Sequence, residues 1–363
     1  MSQQLRTAEF VSPKHPDKIC DYIADRILDE HLKLDPHARV AVEVMGGHGL
    51  ITHNGEITSN AQIDYEQVVK DIVGSEYKVI FNIAQQSPEI ARGVDIGGAG
   101  DQGIMVGYAC SNTPDNMPLE YSLARQLCQD IYKQYPYDGK VQVTVDYGGA
   151  GAANSAADNS DSSNFKITCV VASFQNSKSS ELEELVRSLI AADRYLINPA
   201  GQWSQGGFDA DSGLSGRKLV VDAYGPHVPI GGGSFSGKDY TKVDRSGAYY
   251  ARKVAVDLLS KQIAAQANSN PQSLPQEVLV KIAYAIGVAK PVMATAYFTY
   301  PDGINLADGS KNGLWQDISH LYDFSPKAIC EILDLARPQY AELSQWGHFG
   351  RGNVWDRPFT ETL

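Results

Sequence analysis

Apolar and polar positions along the 363-residue chain alternate between two periods. Ile19, Ile23 and Ile27 recur every four residues behind Pro16, a favoured first-turn residue, and predict a helix starting there. Arg39 to Val44 alternates with the period of a strand. His53-Asn54-Gly55-Glu56, between Leu50-Ile51 and Ile57, carries the Asn-Gly signal of a tight hairpin turn. Further strands are expected at 78–83, 140–147, 165–173, 218–221, 278–283 and 292–299. Further helices are expected at 118–132, 180–190, 244–263 and 326–335. Strands and helices in mixed order, many hairpin-like, indicate an α+β protein rather than one doubly wound sheet.

Between Tyr147 and Phe165 the chain is rich in Gly, Ala, Ser, Asn and Asp, the composition of a long mobile loop. Gly97-Gly98-Ala99-Gly100 and Gly231-Gly232-Gly233 differ, because charged residues flank them and close backbone approach to a ligand is plausible there. Two internal echoes stand out. Asp101-Gln102-Gly103-Ile104 resembles Asp211-Ser212-Gly213-Leu214, and Asp17-Lys18 with Tyr22 and Ala24 resembles Asp244-Arg245 with Tyr249 and Ala251. If these echoes are not chance, duplicated units present equivalent aspartates to one site.

Composition narrows the function. With 43% hydrophobic and 20% charged residues the chain is an ordinary globular one, long enough for two or three domains. A net charge of -12 excludes a general binder of nucleic acid or anionic membrane, though not a local basic pocket. The N-terminal residues Met1 to Glu9 lack a signal-like apolar stretch, and no uncharged apolar run reaches about 18 residues. Five scattered cysteines (Cys20, Cys110, Cys128, Cys169, Cys330) with no C-x-x-C pair read as reduced thiols of a cytoplasmic protein.

Candidate chemistry gathers around Gly232-Gly233-Ser234-Phe235-Ser236-Gly237-Lys238-Asp239, a near match to a phosphate-cradling loop. Asp239 replaces the hydroxyl that would hold magnesium, so an ordinary glycine turn or another kind of phosphate-facing loop are the alternatives. Arg217, Lys218, Lys238, Lys242 and Arg245 crowd the same region, as a polyanion site requires; a solvated charged face is the plain reading of any one alone. Asp17 and Asp244 are magnesium-type carboxylates or helix N-caps. His15 stands before a helix start, where anions are favoured. Glu43 lies within the apolar strand Val40-Ala41-Val42-Glu43-Val44, where a carboxylate costs free energy unless paired or ligating a cation. Trp203, among glycines, is core or a base-stacking platform.

Taken together, His15-Pro16-Asp17-Lys18, Gly98-Ala99-Gly100-Asp101-Gln102-Gly103, Ile197-Asn198-Pro199, Gly213-Leu214-Ser215-Gly216-Arg217-Lys218, the 231–239 loop, Lys242-Val243-Asp244-Arg245-Ser246, Tyr284-Ala285-Ile286-Gly287-Val288 and Gly347-His348-Phe349-Gly350-Arg351 resemble the S-adenosylmethionine synthetase (methionine adenosyltransferase) family. The resemblance is collinear from Glu9 to about Trp355.

It implies three similar βα subdomains in pseudo-threefold arrangement, with approximate and interleaving divisions at 1–95, 96–205 and 206–363. It implies S-adenosylmethionine synthesis from ATP and L-methionine, the displaced tripolyphosphate being cleaved to phosphate and pyrophosphate. By the same resemblance His15 lies beside the ribose 5′ oxygen, and Asp17 and Asp244 hold two magnesium ions. Lys140, Arg217, Lys218 and Lys238 face the triphosphate, and Glu56, Gln86, Asp211 and Lys242 face methionine. Asp101 and Asp138 lie near sulfur and nucleoside, Trp203 stacks on adenine, and Glu43 supplies a potassium site. A homodimer or homotetramer with active sites between subunits is implied, with no nucleic-acid or membrane partner.

Several positions depart from the family pattern. Only Ile96 and Gly97 separate Gly93-Val94-Asp95 from Gly98, a shortened lid. The loop from Gly148 to Asn164 is longer than usual, while Lys290, Ile230 and Asn176 replace an acid, a base and a histidine. The competing readings are a non-catalytic nucleotide-binding homologue and a phosphate-loop phosphotransferase.

Overall fold

The computed structural model describes residues 4–87, 97–148, 165–265, 274–300 and 315–360. The expected lid at 93–96, and the 148–164 loop beyond Gly148, lie outside them. In chain order the described strands are β1 (Leu5–Val11), β2 (Arg39–Gly47), β3 (Leu50–Thr58), β4 (Lys78–Ala84), β5 (Gly103–Cys110) and β6 (Gly139–Asp146). They continue with β7 (Lys166–Phe174), β8 (Arg194–Ile197), β9 (Gly213–Leu214), β10 (Glu277–Tyr284), β11 (Met293–Thr299) and β12 (Gln316–Asp317). They form three four-stranded sheets, ordered β9-β2-β3-β4, β1-β6-β7-β8 and β5-β10-β11-β12.

Each sheet repeats one plan, consistent with three similar units. A long helix leads into an antiparallel hairpin: Pro16–Leu34 into β2-β3, Leu119–Gln134 into β6-β7, Val243–Ala265 into β10-β11. In the first two sheets a shorter helix, Tyr65–Val73 or Ser179–Leu189, then crosses to a parallel edge strand. The fourth strand always comes from elsewhere in the chain. Strand β1 precedes the first long helix but pairs with β6; β5 precedes the second but pairs with β10; β9 precedes the third but pairs with β2. Strand exchange therefore runs in a closed cycle through all three units. Each long helix packs across its own hairpin strand and the borrowed one: β2 and β9, β6 and β1, β10 and β5.

Both echoes fall at equivalent places in this cycle. Asp17 and Asp244 stand in the first turns of two long helices, while Asp101 and Asp211 lie just before the borrowed strands β5 and β9. The local bonding matches as well: Gln102 N–H donates to Asp101 Oδ1 (2.7 Å) and Ser212 N–H to Asp211 Oδ1 (2.8 Å).

Two sequence expectations are corrected. The hairpin turns at His48-Gly49, with φ of 50° and 79°, rather than at Asn54-Gly55. These positive values suit a two-residue turn matching strand twist. Residues 53–56 continue β3, and Gly55 is needed because a Cβ there would lie 2.1 Å from the Ala41 carbonyl oxygen. Residues Leu219–Asp222 form a single helical turn, not a strand. Buried Asp222 anchors that turn through an ion pair with Lys18. All five cysteines are free, as expected. Among the described residues no helix is long and apolar enough to cross a membrane.

Candidate active site

The start of the first long helix gathers one group of candidates. His15 is the N-cap: its Nδ1 accepts the Asp17 N–H at 3.2 Å, which leaves the ring proton on Nε2. Burial, reinforced by the nearby Lys218, lowers the His15 pKa to about 4, so the ring is neutral at physiological pH. Asp17 is buried and accepts from Leu214 N–H (2.9 Å) and Lys218 Nζ (2.5 Å), with Arg217 Nε at 3.7 Å. Burial alone would raise the Asp17 pKa, but the Lys218 and Leu214 hydrogen bonds hold it below the ordinary range.

Neighbouring segments add to this group. Lys140, on β6, pairs with Glu9 on β1 at 2.5 Å. Asp138 precedes β6 and accepts the Gly207 N–H at 2.9 Å; burial pushes its carboxyl up. Asp211 is exposed and influences His15 electrostatically. Trp203 is half-buried rather than core, and its ring lies over Gly206, where a Cβ would be 2.8 Å from it.

A second group surrounds the glycine loop. Lys238 Nζ meets Asp244 Oδ2 at 2.6 Å, matching the Lys218–Asp17 pair. Gly233 lies so close to Asp244 that a Cβ would sit 2.0 Å from its carboxyl carbon, and Gly103, just after Asp101, borders the same carboxylate. Lys242 pairs with Asp239 at 2.5 Å. Asp239 is fully buried and accepts the Val40 N–H at 2.6 Å, so it faces β2 rather than a phosphate.

Three further candidates lie on or just after β2, β3 and β4. Glu43 lies on the exposed face of β2, contrary to the expectation of a carboxylate inside an apolar strand, and accepts from Ser215 Oγ at 3.3 Å. Glu56 is on β3 opposite Ala41 and is exposed, though not on a turn. Gln86 follows β4, its backbone N–H bonded to Thr58 Oγ1 at 3.2 Å, and its buried Oε1 has no partner among the described residues. No set of three or more His, Cys, Asp or Glu that could hold a metal occurs among the described residues. Single carboxylates such as Asp17 and Asp244 nevertheless suit magnesium, which is ordinarily held by one or two carboxylates plus substrate phosphates.

Sequence reading missed Asp21, Asp25 and Asp222 and gave Lys18 no role of its own; all four are buried. The available signal was an aspartate every fourth residue on the first helix, a pattern ordinarily solvated.

Interlocked sheet units with two Lys–Asp pairs at equivalent helix starts define the class: an α+β protein of three similar units. Patterns for the S-adenosylmethionine synthetase N-terminal, central and C-terminal domains match residues 3–88, 96–203 and 205–357. The chain belongs to the S-adenosylmethionine synthetase family, the methionine adenosyltransferases. The S-adenosylmethionine synthase of Desulforudis audaxviator (strain MP104C) is 38% identical, over 98% of this chain and 96% of the relative. That of Deinococcus deserti is also 38% identical, over 96% and 95%. A solved structure, described as an unusual S-adenosylmethionine synthetase from Campylobacter jejuni, matches with TM-score 0.77 and 33% identity, over 97% of this chain and 96% of that one.

Proposed function

We propose that the protein makes S-adenosylmethionine from ATP and L-methionine and cleaves the displaced tripolyphosphate before release. The methionine sulfur lone pair forms the bond to C5′ as the C5′–O5′ bond breaks, and the triphosphate departs with that electron pair. Water then attacks the terminal phosphorus, giving phosphate and pyrophosphate. Two Lys–Asp pairs, Lys218–Asp17 and Lys238–Asp244, carry this reading. In each, a lysine that would meet phosphate is neutralised by a carboxylate suited to magnesium.

His15, neutral with its proton on Nε2, would donate to the departing O5′. Lys140, Arg217, Lys218 and Lys238 would bind and orient the triphosphate, Trp203 the adenine, and Asp138 and Asp101 the nucleoside and sulfur. Glu56, Asp211, Gln86 and Lys242 would place methionine. Asp17 and Asp244 would hold two magnesium ions, which when bound offset phosphate charge. Glu43, with Ser215, would supply one ligand set for potassium.

Active sites formed between subunits of a dimer or tetramer are part of this reading, as the family resemblance implies. Asp17 and Asp25 are two helical turns apart, roughly 12 Å of helix, and Arg245, next to Asp244, binds Asp25. Exposed Met45, Ile104, Leu214, Ile286 and Val292 offer apolar surface for association. The free cysteines support a cytoplasmic setting. Burial of Asp239 against β2 argues against a phosphate-loop phosphotransferase.

Incubation with ATP, methionine, magnesium and potassium, followed by chromatography, tests the reading. S-adenosylmethionine with matching phosphate and pyrophosphate is expected. ADP as product would support a phosphotransferase, and no turnover by a folded, nucleotide-binding oligomer would favour a non-catalytic homologue.

A further inference from the structure

The first long helix carries Asp17, Asp21, Asp25 and Asp29, one per turn on one face. All four are buried, at 2%, 3%, 0% and 7% exposure. Between them they accept backbone N–H groups from three separate stretches of chain. Leu214 donates to Asp17 (2.9 Å), Gly216 to Asp21 (2.8 Å) and Gly237 to Asp25 (2.8 Å). Gln339, Tyr340 and Ala341 donate to Asp29 at 2.8–3.1 Å. The helix thus fixes the spacing of the segments that carry Arg217, Lys218 and Lys238.

Asp21 differs from its neighbours in this series. Asp17 and Asp25 also bind cationic side chains, Lys218 and Arg245, whereas the hydrogen bond described for Asp21 is to Gly216 N–H. Gly216 is the left-handed turn residue (φ 77°) immediately before Arg217 and Lys218. On its other side is Ser234 of the glycine loop, whose Oγ would be 2.8 Å from a Cβ at 216. A side chain at 216 would therefore crowd Ser234, and the Asp21 carboxyl is the partner described for the turn's N–H.

We propose that Asp21 is a positioning residue: by accepting the Gly216 N–H it sets where Arg217 and Lys218 project toward polyphosphate. This inference rests on the polyphosphate role assigned above. Burial, with Lys18 opposing and Asp222 reinforcing, pushes the Asp21 carboxyl up to about 8. At neutral pH it works as a neutral acceptor, a task an asparagine carbonyl can perform.

The test compares wild type, Asp21→Asn and Asp21→Ala as full-length protein. Calorimetry measures tripolyphosphate binding with magnesium and without methionine, and kinetics give kcat and each KM. Asp21→Asn should stay within about threefold of wild type, while Asp21→Ala should lose about tenfold or more in tripolyphosphate affinity and in kcat/KM for ATP. Its KM for methionine should stay within about twofold, a split that general destabilisation would not produce. Wild-type behaviour of Asp21→Ala, or an equally large loss in Asp21→Asn, would overturn the proposal. The second outcome can be read even if Asp21→Ala fails to fold. Wild-type protein that binds no tripolyphosphate would instead fell the functional reading and this proposal with it.

Discussion

Arg245 grips the Asp25 carboxylate with both terminal nitrogens, at 2.6 and 2.7 Å, and the pair is wholly buried. It ties together the two helices whose first turns carry Asp17 and Asp244. Arg245 also donates to the Lys238 carbonyl at 3.0 Å, so the same guanidinium steadies the glycine loop.

Removing one partner leaves a charge buried without compensation. Asp25→Ala should therefore destabilise the protein by about 3–5 kcal/mol, measured by urea unfolding. A loss below about 1 kcal/mol would show that water reaches the site and relieves Arg245.

His15 should contribute no ionisation to activity near neutral pH. With its pKa lowered to about 4, it stays neutral through the physiological range. The kcat profile should lack an inflection near the ordinary histidine value of about 6.5. His15→Ala should cut kcat by about 100-fold while costing about 1 kcal/mol of stability as a lost cap. A wild-type inflection near 6.5 that disappears in His15→Ala would contradict the neutral-donor assignment.

His53 gives a stability signature. It is fully buried beside Phe81, with ring centroids 4.4 Å apart, and burial lowers its pKa to about 4. Between about pH 6.5 and 4 the unfolded chain takes up a proton that the folded chain refuses. Stability falls as pH falls through that window, by up to ~1.4 kcal/mol per pH unit from this residue. Asp21 acts in the opposite sense, because its folded pKa is raised, so the informative quantity is wild type minus variant. His53→Leu should flatten the acid limb relative to wild type; parallel curves would mean the imidazole titrates normally.

Asp17→Asn should shift magnesium dependence far more than folding. The half-saturating magnesium concentration should rise by about tenfold or more, with a melting temperature within a few degrees of wild type. Parallel losses of melting temperature and activity would leave Asp17 only its bonds to Leu214 and Lys218.

Long, strongly periodic elements were legible in the sequence: the helices from Pro16, Leu119 and Val243, and the alternating strands β6, β7, β10 and β11. Gly55 misled because its dipeptide suits a turn, whereas close approach to Ala41 is what requires glycine there. Leu219-Val220-Val221 looked strand-like, but the Lys18–Asp222 pair fixes a helical turn. Family motifs marked the side chains proposed to meet ligands, such as Asp17 and Lys238. They could not mark Asp21 or Asp25, since an acid every fourth residue reads as a wet surface until the partner loops are known.

The cyclic exchange of β1, β5 and β9 bears on how the chain is made. During synthesis β1 emerges long before β6, β2 waits for β9, and β5 waits for β10. No third of the polypeptide can complete its own sheet, so contacts remote in sequence dominate and folding should be slow. The last ladder closes only when the third unit has left the ribosome, which makes this protein a single knot of commitment rather than three modules threaded on a string.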